Sequence, residues 1–224
     1  MKLSFSKIRN IADWLLDILF AESCLGCRSK GEILCQNCVI KIPKAERETE
    51  RGIMACFDYR DPLIKKAIWN LKYYHRSHLG QTLGKLLYES FVEDISDMRI
   101  YASGQAILVI PVPLSPMRKK TRGYNQAERI ARGFCDCGGR EVLELKNNII
   151  IKKIDTLPQA KITNRARRLK NIKGVFEIKN KESVKGRTII VIDDVTTTGG
   201  TITEIMNMLK KSGAKKVVGF AVAH

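Results

Sequence analysis

With 224 residues, the chain is long enough to bury the core of one full domain and to carry a smaller attachment. Its composition, 44% hydrophobic and 28% charged, is that of an ordinary globular protein rather than a low-complexity chain. Forty Lys and Arg against 23 Asp and Glu leave a net charge of +17, which favours polyanionic partners such as phosphate-rich metabolites, nucleic acid or anionic lipid. Charge alone does not choose among these partners, and a solvated basic surface is the alternative.

The first predicted element is an amphipathic helix over residues 5–20. Its apolar residues recur at helical spacing: Ile8, Ile11, Leu15, Ile18 and Leu19. Because Asp13 and Asp17 interrupt this stretch and no small-residue cleavage site follows, we do not interpret it as a signal peptide. Packing in a core is its favoured role, with docking on a membrane or a partner as the alternative. No run approaches the roughly 18 apolar residues of a membrane span, so we expect no transmembrane segment.

A cysteine cluster follows this helix. Its members are Cys24, Cys27, Cys35 and Cys38, in a C-x₂-C, x₇, C-x₂-C pattern. Two such pairs supply four thiolates, which is typical of a structural Zn²⁺ site with no open position for catalysis; free buried cysteines are the alternative. An odd total of seven cysteines without an export signal favours a cytoplasmic protein that uses thiols for metal. We therefore predict a helix and zinc finger over residues 1–50 and a second domain over 51–224.

The second domain changes character along its length. A short strand, 53–58, precedes a mainly helical stretch up to residue 105. From residue 106 apolar, β-branched strands alternate with helices. The predicted strands are 106–110, 148–151, 174–178, 187–192 and 216–222, and the predicted helices are 125–135 and 201–212. This alternation is typical of an α/β domain with a mostly parallel sheet and helices on both faces, whose ligands bind beyond the carboxyl ends of the strands.

One strand end carries two adjacent carboxylates, Asp193 and Asp194, followed by a Thr/Gly turn and an amphipathic helix. Gly199 and Gly200 let backbone N–H groups curl around an anion, and the helix N-terminus and threonine hydroxyls favour a phosphate there. Because two neighbouring carboxylates would repel that phosphate, they are better placed as acceptors from two ribose hydroxyls. A surface turn capped by Asp and Thr is the alternative.

Two basic segments accompany this turn. Residues 110–127 lead from a strand into a helix and combine three prolines with a cluster of positive charge that includes Arg118 and Arg122. A rigid basic loop of this kind suits a pyrophosphate held by charge-assisted hydrogen bonds. Residues 156–171 form a second basic loop, which we expect to close over a polyphosphate and exclude water. For either loop alone, a solvated basic surface is the alternative.

At the acid pair and the Thr/Gly turn, the sequence resembles the type I phosphoribosyltransferase fold. From residue 24 to its end the chain resembles, more specifically, the ComF family associated with natural competence (the ComFC and GntX type). That resemblance rests on Pro-Val-Pro-Leu-x-Pro-x-Arg at 111–118, Arg-Gly-aromatic-Asn-Gln at 122–126, a Gln-to-Arg-x-x-Asn loop at 159–171, and Asp-Asp-Val-x-Thr-Thr-Gly at 193–199. The family also carries an N-terminal finger. Small departures are Tyr124, Ser115 and Gly200, where Phe, His and Ala are usual.

The resemblance implies roles for particular residues. Asp193 and Asp194 would hold the ribose 2′ and 3′ hydroxyls of 5-phosphoribosyl-1-pyrophosphate, bound together with Mg²⁺. Arg118 and Arg122 would contact its pyrophosphate. The residues implied to cradle its 5′-phosphate are Val195, Thr196, Thr197, Thr198, Gly199, Gly200 and Thr201. Neither the residues nor the resemblance assigns a catalytic group.

Together these features predict a ComF-type phosphoribosyltransferase-like protein that binds phosphoribosyl pyrophosphate and takes part in DNA uptake during natural transformation. The charge, the finger and the aromatic residues beside basic ones at 69–76 add single-stranded DNA as an expected partner, and the family adds proteins of the uptake machinery. One alternative is an active transferase that moves phosphoribosyl to a base or an amine, unrelated to DNA. A second is a single-stranded DNA-binding protein in which the phosphoribosyl site is regulatory.

Overall fold

The structure, a computed structural model, describes residues 22–45, 52–74, 76–153 and 174–224. The chain divides into two compact units, one ending at Lys41 and the other running from Ile42 to His224. The predicted helix over 5–20 and the predicted basic loop over 156–171 lie outside the described residues. Within the described ranges, no helix has the length and apolar content needed to cross a membrane.

The described elements follow one another in a β/α order. The helices are α1 (Gln36–Val39), α2 (Pro62–Tyr73), α3 (Leu79–Ser90), α4 (Val92–Ala102), α5 (Pro116–Arg122), α6 (Gln126–Gly138) and α7 (Gly200–Lys211). The strands are β1 (Ile53–Phe57), β2 (Ile107–Pro111), β3 (Leu143–Leu145), β4 (Ile150–Lys152), β5 (Phe176–Ile178), β6 (Thr188–Val195) and β7 (Lys216–Ala223). Five strands form one sheet in the order β1-β7-β6-β2-β3, and every pairing in it is parallel. Strands β4 and β5 form a separate antiparallel ribbon.

Strand β6 lies at the centre of the sheet, and its first five residues are buried. A continuous apolar run of this kind is needed because both faces of a central parallel strand are covered. On one face, Ile189 and Val191 join a core cluster that includes Ile202 and Ile205 of α7. On the other face, the Phe220 ring of β7 lies 6.0 Å from the Phe134 ring of α6, measured between centroids. The predicted α/β fold, a mostly parallel sheet with helices on both faces, is confirmed.

Helices α3 and α6 cross at very short range because glycines line the crossing. A Cβ added at Gly84 of α3 would overlap the carbonyl oxygen of Ile130 and lie 2.6 Å from the backbone nitrogen of Phe134. One helical turn away, a Cβ on Gly133 of α6 would lie 2.5 Å from the Cα of Gln81. These atoms are backbone, so a side chain cannot be accommodated by a rotamer change. The crossing of the two helices therefore depends on glycine.

We expect the Gly84→Ala variant to be less stable than the wild type by about 1–3 kcal/mol, because the added methyl group forces the two backbones apart. The sign of this stability change distinguishes a tight crossing from an ordinary helix, because Gly→Ala in an ordinary helix interior stabilises by about 1 kcal/mol. Urea unfolding followed by circular dichroism measures the difference. Lys85→Ala, at the exposed neighbouring position, is the matched control and should change stability by less than about 0.5 kcal/mol. A Gly84→Ala protein as stable as the wild type would contradict the tight crossing.

Candidate functional site

The carboxyl ends of β6 and β2 meet at one edge of the sheet. Strand β6 extends beyond the predicted end at residue 192, so Asp193 and Asp194 lie on the strand itself, with Asp193 paired in register with Ala221 of β7. The backbone N–H of Val112, immediately after β2, donates to the carbonyl of Ile192 at 2.8 Å. The start of the Pro-rich segment is thereby fixed beside the acid pair, as neighbouring parallel strands require.

The Thr/Gly turn joins β6 to α7 in a conformation that backbone hydrogen bonds and a glycine define. The backbone N–H of Thr196 donates to the carbonyl of Ala223 at 2.9 Å, which anchors the start of the turn. Gly199 has φ of +69°, a left-handed conformation in which other residues are disfavoured, and a Cβ there would lie 2.9 Å from Ile53 Cδ1. Helix α7 begins at the next residue, so its N-terminal N–H groups point into the turn.

Two threonine hydroxyls at this turn are orphaned. The Oγ1 atoms of Thr198 and Thr203 are buried and have no hydrogen-bond partner among the described residues. A buried hydroxyl without a partner is costly unless a ligand or water satisfies it. With the start of a twelve-residue helix beside them, these donors fit an anion such as a phosphate.

The acid pair has a partner that its local sequence does not reveal. Lys72 of α2 places its Nζ atom 2.9 Å from Asp194 Oδ1, and both side chains are largely buried, with 20% and 12% of their surfaces exposed. Burial opposes the charge on Lys72, but the attraction of Asp194, their hydrogen bond and the nearby Asp193 outweigh it and raise the pKa of Lys72 above its usual value. The cation is therefore a built-in counterion of the acid pair.

Asp193 is in a different electrostatic situation. Burial and the adjacent charge of Asp194 raise the pKa of Asp193 to about 7, although the Asp194 N–H donates to Asp193 Oδ1 at 2.9 Å and Lys72 and Lys152 lie close enough to oppose the shift. Near neutral pH Asp193 is thus poised between its protonated and its charged form. Two such carboxyl groups side by side suit a ligand that donates two neighbouring hydroxyls.

The basic segment after β2 is partly helical rather than a loop. Pro116 is at the first turn of α5 and Gly123, with φ of +78°, ends it, so Arg118 and Arg122 lie one turn apart on the same side of a short helix. Arg122 donates to Gln126 Oε1 at 3.1 Å and to the Tyr73 hydroxyl at 3.3 Å. This arginine is therefore held in place by α6 and α2 rather than being loose on the surface.

The predicted site residues converge in part. The strand end, the turn and the start of the Pro-rich segment share one edge of the sheet. Within residues 193–201, the buried members are Asp194, Thr196, Gly199 and Gly200; Thr197 is exposed, and Asp193, Val195, Thr198 and Thr201 are half-buried. Arg118 is half-buried on α5. Sequence reasoning did not identify Lys72, because a lysine within an amphipathic helix carries no local signal of a distant carboxylate.

The four cysteines of the first unit also converge. The Sγ atoms of Cys24, Cys27, Cys35 and Cys38 all lie within 4.8 Å of one another. The separation of the Cys27 and Cys35 sulfurs, 3.6 Å, is close to the distance of about 3.8 Å between ligands of a tetrahedral zinc thiolate. Each pair is held by its own tight turn, with the Arg28 N–H donating to the Cys24 carbonyl at 3.0 Å and the Cys38 N–H to the Cys35 carbonyl at 3.0 Å.

Backbone N–H groups favour the thiolate form of Cys24. Burial opposes ionisation of Cys24, but N–H groups of Cys35, Cys27 and Gly26 more than offset it and lower the pKa of Cys24 to about 6. A hydrogen bond with the Cys35 thiol, together with burial, instead raises the pKa of Cys38 to about 12, so the cluster holds its thiol protons unevenly. Four thiols at tetrahedral spacing are what a four-coordinate metal ion requires. The residues of the cluster therefore fit such an ion.

Comparison with known proteins places these features in a family context. A phosphoribosyl transferase domain matches residues 120–224. Competence protein F of Haemophilus influenzae is 30% identical over 192 residues, covering 84% of this chain and 77% of that protein. Competence protein ComFC of Streptococcus pneumoniae is 28% identical over 202 residues, covering 90% of this chain and 80% of that protein. The DNA utilization protein YhgH of Escherichia coli K12 is 28% identical over 186 residues, covering 82% of this chain and 74% of that protein.

Solved structures with a similar backbone include two larger proteins. The glutamine phosphoribosylpyrophosphate amidotransferase from B. subtilis is 18% identical, with a TM-score of 0.42, covering 68% of this chain and 30% of that one. The phosphoribosylpyrophosphate synthetase from Mycobacterium smegmatis is 22% identical, with a TM-score of 0.36, covering 62% of this chain and 33% of that one. This chain spans about a third of the length of each.

The raised pKa of Asp193 predicts a pH-dependent stability difference between the wild type and Asp193→Asn. An aspartate titrates near 3.8 when unperturbed and near 7 here, so between these values the folded state holds more protons than the unfolded state. Asp193 therefore lowers stability progressively as pH rises from about 4 to 7. Relative to the wild type, Asp193→Asn should gain thermal stability across that window and keep the gain above it.

Melting temperatures measured every half unit of pH test this expectation. Asp136→Asn, at an exposed position of α6, is the charge-matched control and should follow the wild type at every pH. A constant difference between Asp193→Asn and the wild type across the window would show that Asp193 titrates normally.

Proposed function

The chain belongs to the ComF family, and from that premise we propose that its phosphoribosyltransferase-like domain binds phosphoribosyl pyrophosphate with Mg²⁺ during DNA uptake in natural transformation. The observation that carries the proposal is the half-buried Asp193 beside the buried Asp194, next to the orphaned Thr198 hydroxyl at the start of α7. Acceptors for a cis-diol and donors for a phosphate are adjacent there, in the order in which a ribose 5-phosphate presents its groups. Phosphoribosyl pyrophosphate is the one small ligand that we propose for this edge of the sheet.

Each part of the ligand has a proposed partner in the chain. Asp193 and Asp194 accept hydrogen bonds from the ribose 2′ and 3′ hydroxyls, and residues 195–201 hold the 5′-phosphate through backbone N–H groups and hydroxyls. Arg118 and Arg122 face the pyrophosphate, where Arg122 is already oriented by Gln126 and Tyr73. Mg²⁺ supplies further neutralisation of the pyrophosphate charge when it binds with the ligand.

Lys72 gives the pair an electrostatic balance that suits a neutral diol. It leaves Asp194 Oδ2 to accept a hydroxyl while Oδ1 is engaged. Asp193 adds a second acceptor, and the raised pKa of Asp193 means that ligand binding is accompanied by proton release when binding requires the carboxylate.

Turnover is a separate question from binding. The competing function is phosphoribosyl transfer to a base or an amine, in which the same residues would neutralise the departing pyrophosphate and hold the ribose. We assign no acceptor and no general base. Our proposal is therefore a binding function, and the transferase is the alternative that the experiment below separates from it.

We further propose that the protein acts in the cytoplasm on single-stranded DNA, together with proteins of the uptake machinery. The net charge of +17 supports a polyanionic partner. Two of the similar proteins are named competence proteins and one is named a DNA utilization protein, and these names support a role connected with DNA. The alternative is a protein whose main activity is binding single-stranded DNA and whose phosphoribosyl ligand regulates that binding.

For the cysteine cluster, the proposed metal is Zn²⁺ in a structural role. Four thiolate ligands leave no open position for a substrate, and soft sulfur ligands select Zn²⁺ over Mg²⁺. The ion would hold the first unit together, because a unit this small has little core of its own.

Isothermal titration with phosphoribosyl pyrophosphate and Mg²⁺ tests the main proposal. Asp193→Asn and Asp194→Asn should each weaken binding about 10- to 100-fold, because each removes a charge-assisted hydrogen bond. Asp136→Asn is the matched control and should bind like the wild type, and circular dichroism checks that all variants fold. Equal affinity for the wild type and both site variants would refute the proposed site.

The same proteins can be assayed for pyrophosphate release against a panel of bases and amines. Release that depends on one acceptor and disappears in Asp193→Asn would favour the transferase alternative. Tight binding without release across the panel supports the binding function.

Removal of a cluster cysteine should release the metal. Cys38→Ser should lower zinc content from about one equivalent to a small fraction, measured by mass spectrometry of the purified protein. Cys137→Ser, an exposed cysteine on α6, is the control and should retain the zinc of the wild type. Equal zinc in both variants, or none in the wild type, would contradict the zinc assignment.

A further inference from the structure

Helix α2 exposes a row of aromatic side chains. The exposed fractions of Trp69 and Tyr73 are 53% and 51%, whereas Ile68 and Leu71 of the same helix are fully buried. The two exposed rings are one turn apart and in contact, with centroids 4.6 Å apart and an interplanar angle of 45°. Large aromatic surface left in water at adjacent positions is unusual in a helix whose other side packs well, and it indicates a binding surface.

A guanidinium group extends this aromatic surface. Arg122 Cζ lies 5.1 Å from the centroid of the Tyr73 ring, and the arginine also donates to the Tyr73 hydroxyl. Since Gln126 holds the other side of the guanidinium, the group has a fixed orientation against the ring. We call Trp69, Tyr73 and Arg122 the α2 stacking face.

The α2 stacking face adjoins the acid pair. Lys72, the residue before Tyr73, contacts Asp194, and successive side chains of a helix point about 100° apart. The Tyr124 hydroxyl donates to the Leu71 carbonyl, which ties α2 to the connection between α5 and α6. One helix therefore presents a counterion to the phosphoribosyl site on one side and an aromatic surface on the next.

The chemistry of this face selects its partner. All the large apolar side chains exposed on α2 are aromatic, which suits flat π-systems better than the aliphatic side chains of a protein partner. Lys66 is exposed on the same side, three and seven residues before Trp69 and Tyr73, so a cation accompanies the rings along the helix. Rings for bases and cations for phosphates are the two components of single-strand binding surfaces.

We propose that the α2 stacking face binds unpaired bases of a single-stranded nucleic acid, beside the phosphoribosyl site. The inference rests on the proposed nucleic-acid role and gives that role a location. Duplex DNA would not bind to the α2 stacking face in this way, because paired bases are stacked on one another and present no free face. Arg122 belongs to both surfaces, so strand and pyrophosphate meet at one guanidinium.

Fluorescence anisotropy with a labelled oligothymidylate of about 20 nucleotides measures the proposed contact. Trp69→Ala and Tyr73→Ala should each weaken binding about 5- to 100-fold, while Trp69→Phe should retain most of the affinity because it keeps a stacking ring. Tyr101→Ala is the matched control. Tyr101 of α4 is 47% exposed, and its ring centroid lies 3.7 Å from Lys216 Nζ. It therefore has a ring and a cation, but no second ring from the described part of the chain contacts it. Its removal should leave affinity unchanged.

A second measurement does not depend on removing Trp69. The chain has two tryptophans, so Trp14→Phe leaves Trp69 as the sole emitter. Saturating oligothymidylate should quench its emission, and the same sequence paired with its complement should quench it much less. Unchanged emission with the single strand bound would overturn the stacking inference.

The outcomes separate this inference from the proposed function. If the wild type binds the oligonucleotide and Trp69→Ala binds it equally well, the stacking face is wrong and the nucleic-acid role stands. If the wild type binds no oligonucleotide at low salt, both the face and the nucleic-acid role are wrong. Titration of phosphoribosyl pyrophosphate into Trp69→Ala, expected to match the wild type, shows in each case whether the ligand site survives.

Discussion

The site depends on two adjacent acids, one buried and one half-buried, whose charge is opposed by the ammonium group of Lys72. Asp193 and Asp194 follow each other on the central strand, where burial and mutual repulsion disfavour two full charges. Lys72 offsets part of this cost through a 2.9 Å ion pair. Such a pair is expensive in a protein interior and is therefore a weak source of stability.

The sheet and its neighbouring helices hold the acid pair at one edge of the fold. The central strand brings the acids to the edge, β2 places the Pro-rich segment beside them, and α7 begins directly after the turn. The glycine-lined crossing of α3 and α6 lets α6 approach closely, and Gln126 at its start orients Arg122. Lys72 of α2 thus contacts the acid pair directly, and Arg122 of α5 lies against Tyr73 of the same helix α2.

The sequence predicts an element correctly where a continuous run of apolar residues marks it. It does not where polar residues or prolines interrupt the run. Strands β2, β6 and β7 contain continuous apolar runs and are predicted by the sequence, whereas β3, in which Glu144 separates two leucines, is not. The mainly helical stretch before residue 106 contains separate helices, because Phe91 ends one and caps the next. The sequence predicts a loop at α5, because Pro111 and Pro113 precede the helix, Pro116 begins it, and its body is short and polar.

The sequence by itself determined the acid pair, the Thr/Gly turn after it and the four-cysteine spacing, because each is a property of a few neighbouring residues whose geometry follows from their own chemistry. Only the tertiary structure decided that Lys72 neutralises Asp194, that the pKa of Asp193 rises to about 7, and that Arg122 lies against Tyr73 beside Trp69. These facts depend on how the chain packs α2 beside the end of β6 and beside α5. Charges and rings far apart in sequence interact only after that packing brings them together, so no local pattern encodes them.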